Sequence, residues 1–100
     1  MEISTAHLAI VKAALKEHLP GVEVRAFGSR VLGTPKSWSD LDLAVVGKTR
    51  IDPKILTSLQ EAFEESDLPY RVDVLDWNAI SPEFRRLIES RYEALQSADL

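Results

Sequence analysis

The sequence predicts an α+β fold: a small three-stranded mixed sheet, its first two strands antiparallel, with helices packed mainly on one face in the order α-β-α-β-α-β-α. Three observations carry this. Segments of helical period alternate with segments of strand period along the whole chain. The long helical segments open on cap signals, Ser4-Thr5, Asp52-Pro53 and Ser81-Pro82. The chain of 100 residues bounds a single domain with one modest core, and three strands with three long helices suit a small sheet so covered.

The first helix runs from about Thr5 to Leu19, with Leu8, Val11, Leu15, His18 and Leu19 as its stripe, and Pro20-Gly21 ends it. His7 and His18 lie on it as packing or solvent positions, because no third ligand accompanies them. The first strand is Val22 to Phe27. Gly28-Ser29 breaks its alternation, and Ser29 is placed to cap a short helix over Arg30 to Leu32 that Gly33 closes. Thr34 to Ser39 is a polar loop containing Trp38, which is read as closing over core surface or flanking a ligand. The second strand is Leu41 to Val46. A helix follows from Pro53 to about Ser66, facing the core with Ile55, Leu56, Leu59, Ala62 and Phe63. The third strand is Tyr70 to Leu75. The last helix begins at Pro82 and runs to about Leu95, with Phe84, Leu87, Ile88, Arg91 and Leu95 roughly on one face; the final five residues fray. Trp77 and Tyr92 are read as packing the last helix or meeting a partner.

Composition excludes several classes. A net charge of −4 with scattered basic residues argues against a general nucleic-acid binder. With no cysteine there is neither a disulfide framework nor a zinc-thiolate site. Met1-Glu2-Ile3-Ser4 has no basic region followed by an apolar one, and no apolar run reaches membrane-spanning length. The expectation is a soluble cytoplasmic domain.

Asp40 and Asp42 stand at the start of an otherwise apolar strand, although strands disfavour aspartate. At spacing i, i+2 they share a face, with Cα atoms roughly 6.5–7 Å apart. Two such charges ~6 Å apart repel by roughly 3 kcal/mol at an effective dielectric of ~20. Protonation, exposure or a bound cation removes that penalty, and a solvated turn is the plainest reading of D-x-D alone. Gly28-Ser29 adds a place where backbone approaches a ligand closely and N–H and O–H donors face a phosphate, or else an ordinary helix cap. Antiparallel pairing of the first two strands brings this pair beside the aspartates. Asp73, between Val72 and Val74, is a third misfit; it is either an ion-pair partner of Arg25 or Arg71, or a third carboxylate ~5 Å from the pair on a neighbouring strand. Three carboxylates on one patch can share one or two Mg2+ ions, ~3.5–4 Å apart in two-metal sites.

"GSRVLGTPKSWSDLDLAVV" resembles the signature of the minimal nucleotidyltransferases (MNT) of the DNA polymerase β-like superfamily: Gly-Ser, ten intervening residues, then D-x-D. Arg30 and Gly33 fit the form common in small members. "YRVDVLDWNAISPEFRRLIESRYEAL" resembles the family's ending, a third carboxylate followed by a helix. One departure stands out: many members turn through a glycine after the Ile-Glu pair of the last helix, where this chain continues Ser90, Arg91, Tyr92.

The resemblance, which spans nearly the whole chain, implies that residues 1–100 form a single minimal nucleotidyltransferase domain. It implies that Gly28 and Ser29, assisted by Arg30, hold the phosphates of a nucleoside triphosphate, with ATP as the expected substrate. Asp40 and Asp42 would bind Mg2+, and Asp73 would ligate the catalytic ion and help deprotonate the acceptor hydroxyl. Larger relatives carry extra domains for their acceptors; none is seen here, so the acceptor is expected on a partner. The implied partner is a helical HEPN-family toxin, commonly encoded beside such proteins, with this chain as its antitoxin. Masking the partner without catalysis, or transfer to a small molecule or RNA end, are the alternatives.

Overall fold

A computed structural model describes residues 1–33 and 39–98. The elements in chain order are α1 (Thr5–His18), β1 (Glu23–Phe27), α2 (Ser29–Leu32), β2 (Leu41–Val46), α3 (Pro53–Glu64), β3 (Val72–Asp76), a 3-10 turn (Trp77–Ala79), α4 (Pro82–Ser90) and β4 (Glu93–Gln96). The cap signals act as their chemistry requires. Ser4, Asp52 and Ser81 each accept a backbone N–H of the first turn, and Pro53 and Pro82 open α3 and α4.

Four strands, not three, form the sheet, in the order β3-β2-β1-β4. β1 pairs antiparallel with β2 and β4, and β2 pairs parallel with β3. The expected antiparallel start is therefore present within a mixed α+β sheet. Alternation sends Val24, Ala26, Leu41, Leu43, Val45, Val72 and Leu95 to one face, where they merge with Val11, Leu15 and Leu19 and with Leu59 and Phe63 of α3 into one core. The opposite face carries Phe27, Asp42, Ala44 and Asp73. α4 lies across it: the Phe84 ring meets Phe27 edge-on at 5.9 Å, and Ile88 is buried. Helices thus cover both faces rather than mainly one. Of the apolar stripe expected on the last helix, Ile88 is the buried member within α4; Leu87 is 68% exposed, and Leu95, also buried, lies beyond the helix.

The fourth strand corrects the expected end of the last helix. Glu, Ala, Leu and Gln favour helix locally, but tertiary forces win. Without β4, β1 would present a row of unpaired backbone groups. The helix stops at Ser90, whose hydroxyl donates to the Leu87 carbonyl, and Arg91 turns the chain out at φ −161° with no glycine needed. Tyr92 then stacks on the Arg25 guanidinium, which also lies over Trp77. Leu95 enters the core. Gln96 does not fray: its amide donates to the carbonyls of Leu19 at 2.6 Å and Val22 at 2.8 Å. Gln96→Ala is expected to lower stability by about 1–3 kcal/mol, since it strips half-buried carbonyls of their donor; a thermal melt lower by more than ~4 °C checks this.

Smaller adjustments have local causes. α2 begins at Ser29, with Gly28 in the cap position, so Ser29 is not the cap. The third strand starts at Val72 rather than Tyr70, because Tyr70 stacks under Arg30 instead. His7 packs edge-on against Tyr70. Trp38 lies outside the described residues. Among these, no helix is long and apolar enough to cross a membrane.

Candidate active site

β1 ends where β2 begins, because the two run antiparallel. The register sets Phe27 opposite Asp42, and the parallel pairing of β2 with β3 sets Asp42 opposite Asp73. The end of β1, Asp42 and Asp73 therefore form a row across three strands, neighbours about 4.8 Å apart. Asp73 shares the face of Asp42, as an acidic patch requires. Asp40 is exposed, just upstream of β2, and the next residue is tied down by a Leu41 N–H bond to the Arg71 carbonyl at 2.9 Å.

Gly28 abuts this row. Its backbone, φ 83° and ψ −160°, lies in a region open essentially to glycine alone. A Cβ there would fall inside contact distance of Asp42 Oδ2 and 3.3 Å from its Cγ. The Asp42 carboxylate thus packs directly against the Gly28 backbone, in the place a side chain would need. Ser29 follows at once as the first residue of α2.

Asp42 feels the crowding. Its pKa is pushed up to about 6, first by burial and then by the negative charges of Asp73 and Asp40. Both neighbours act on it, so the three carboxylates belong to one electrostatic patch. The ion-pair alternative for Asp73 is present only as a 4.0 Å approach of Arg71, with both side chains largely exposed, a contact of little worth. Arg25 goes elsewhere, to Glu23 and the two aromatic rings. Among the described residues no three side chains already stand close enough together to hold a metal ion. The donor chemistry nonetheless fits one: the available ligands are carboxylate oxygens, glycine at 28 lets the backbone approach Asp42 without a side chain between them, and Mg2+ accepts few protein ligands when phosphates and waters complete its shell.

Arg30 is placed differently from the phosphate contact expected of it. It is 6% exposed, its guanidinium bonds to the carbonyls of Ser39 and Glu2, and it lies 3.8 Å over the Tyr70 ring. Burial of the second residue of α2 against the N-terminal segment is the cause. Sequence reasoning also missed an apolar recess beside Gly28, lined by Phe27, Leu32, Leu87, Ile88 and Arg91. The available signal was the pair Leu32 and Leu87, apolar residues the core does not use.

An acidic row across the mouth of a mixed sheet, with a glycine-only turn at one end, is an arrangement suited to handling phosphoryl groups with a divalent ion. The nucleotidyltransferase domain family matches residues 8–95, and the chain belongs to that family. It is 46% identical over 99 residues to the probable protein adenylyltransferase MntA of Haemophilus influenzae, a match covering 99% of this chain and 87% of that one. Its fold is shared with a crystal structure of a toxin–antitoxin with AMP-PNP (TM-score 0.76, 22% identity, 92% of this chain and 74% of the other). It is shared too with a structure of the tri-AMPylated HEPN toxin of Shewanella oneidensis in complex with its MNT antitoxin (TM-score 0.71, 18% identity, 96% and 74%).

Proposed function

We propose that this chain is a Mg2+-dependent protein adenylyltransferase that moves AMP from ATP onto a hydroxyl of a HEPN-family partner, and so serves as the antitoxin of a toxin–antitoxin pair. The observation that carries the reading is the row from Gly28 through Asp42 to Asp73, with Asp40 alongside. Asp40, Asp42 and Asp73 would hold the metal, which when bound neutralises the phosphates and the charge that builds up on them during transfer. Gly28 lets the triphosphate come against the backbone, and Ser29 offers it a hydroxyl donor. The acceptor oxygen bonds to the α-phosphorus while the bond from that phosphorus to the bridging oxygen breaks, and pyrophosphate leaves. Asp73, on the strand next to Asp42, takes the acceptor's proton. Positioning and charge neutralisation supply nearly all of such catalysis, within the means of so small a frame.

A protein acceptor suits the surroundings. Leu32 and Leu87, 49% and 68% exposed, stand at the recess beside Gly28, with Phe84 nearby on α4. Exposed apolar residues gathered at a site's rim mark protein contact. The same reading places the pair in the cytoplasm, where ATP is supplied.

Incubating the chain with ATP, Mg2+ and the HEPN protein encoded beside it is expected to raise that protein's mass by one or more AMP units. An unchanged mass would overturn the reading. Replacing Asp40, Asp42 and Asp73 together by Asn is expected to abolish both modification and neutralisation. Neutralisation that survives intact would make masking the mechanism.

A further inference from the structure

Arg30 stands in the family signature but outside the acidic row, and its surroundings give it a job. It is the buried charged residue of the core among the described residues. A buried charge is costly unless its donors are met. Here Nε and Nη2 both donate to the Ser39 carbonyl, at 3.0 and 2.8 Å, and Nη1 donates to the Glu2 carbonyl at 2.9 Å. Glu2 N–H returns a bond to the Arg30 carbonyl at 2.8 Å, and the guanidinium rests on the Tyr70 ring. Ser39 immediately precedes Asp40, while Arg30 immediately follows Ser29. One guanidinium therefore joins the two halves of a site that ten intervening residues separate in sequence. The Leu41 N–H bond to Arg71 holds Asp40 from its other side.

We propose that Arg30 is a positioning residue: by gripping the Ser39 carbonyl it fixes Asp40 relative to the Gly28-Ser29 cradle, and so sets the geometry in which metal and nucleotide are held together. The inference rests on the nucleotidyltransferase reading above. Two forked donors on one carbonyl define both distance and angle. A lysine ammonium keeps the charge but has no rigid fork and cannot reproduce that grip along with the Glu2 bond. Groups that orient a metal ligand without touching the metal typically cost 10–100-fold in metal affinity or activity when replaced.

The test compares the wild type with Arg30→Lys and Arg30→Met. Three quantities are read: steady-state transfer, Mn2+ uptake in the presence of AMP-PNP by electron paramagnetic resonance, and hydrogen exchange at the Asp40 and Leu41 amides. For Arg30→Lys the expected result is a native circular dichroism spectrum, a kcat lower by about 10–100-fold and a KM for ATP within about threefold of wild type, with Mn2+ affinity down by a similar factor. Exchange at Asp40 and Leu41 is expected to speed up while that of β1 stays slow. Arg30→Met should show the same pattern, more strongly. A raised KM with unchanged kcat would overturn the proposal in favour of direct phosphate contact. Unchanged kinetics and exchange would overturn it outright, and loss of fold in Arg30→Lys itself would reduce the residue to a purely structural one. A wild type with neither transfer nor Mn2+ uptake would instead sink the functional reading, and the grip on Asp40 would then be judged by the amide exchange alone.

Discussion

Asp42→Asn is expected to eliminate transfer and, at the same time, to make the metal-free chain more stable. The loss follows from the carboxylate's central place in the acidic row; removal of one such electrostatic element costs on the order of 10²–10³-fold or more. The gain follows from its strain in the free protein. Burial, Asp73 and Asp40 raise its pKa from 3.8 to about 6. The fold thus binds this proton more tightly than the unfolded chain does. The stability it contributes is fully present below pH ~4 and is lost as pH rises through about 6. A shift of this size corresponds at face value to about 3 kcal/mol. The group is half exposed, and solvent screening brings the expected effect to about 1 kcal/mol. Asparagine has the same shape and no charge. Its melting temperature should exceed the wild type's by ~4–8 °C at pH 8 and match it at pH 4. Melts with chelator across this range check the sign; a variant that gains equally at both pH values would show the charge crowding to be absent. Mg2+ with ATP should stabilise the wild type and leave the variant unmoved, because a ligand bound only by the native state adds to its stability.

Gly28→Ala is expected to damage both stability and transfer, for two separable reasons. Any side chain at φ 83°, ψ −160° carries backbone strain of roughly 1–3 kcal/mol. The new Cβ also runs into the Asp42 carboxylate and forces it to shift. A melting temperature lower by ~4–8 °C per kcal/mol follows, together with transfer reduced on the order of 10²-fold or more. A double-mutant cycle separates the causes. In an Asp42→Ala background the clash is gone and the strain remains, so Gly28→Ala should cost less stability there than in the wild type. Equal costs in both backgrounds would place Asp42 out of reach of residue 28.

The acidic row was legible because its parts are local. Aspartates in apolar strands are chemical misfits visible in any reading, and the spacing from Gly28-Ser29 to Asp40 is a matter of counting. The caps at Ser4, Asp52 and Ser81 were legible for the same reason: each donor and acceptor pair lies within one helical turn. Residues 93–96 were misread because their local preference is helical, and only the open edge of β1 makes them a strand. The inward turn of Arg30 was not legible because an arginine next to a phosphate cradle has the right charge for phosphate. The carbonyls it reaches, Glu2 and Ser39, lie 28 and 9 residues away.

By itself, then, the sequence determined where the three long helices begin, with their caps at Ser4, Asp52 and Ser81, the approximate course of the first three strands, and the spacing of the three carboxylates and the Gly-Ser pair. Periodicity, capping and spacing are all properties of short stretches of chain. Only the tertiary structure decided that Asp42 and Asp73 lie side by side, that β4 closes the sheet, that α4 covers the second face and that Arg30 turns inward. These depend on strand register and on which edge is left unpaired, free energies that no short segment carries within itself.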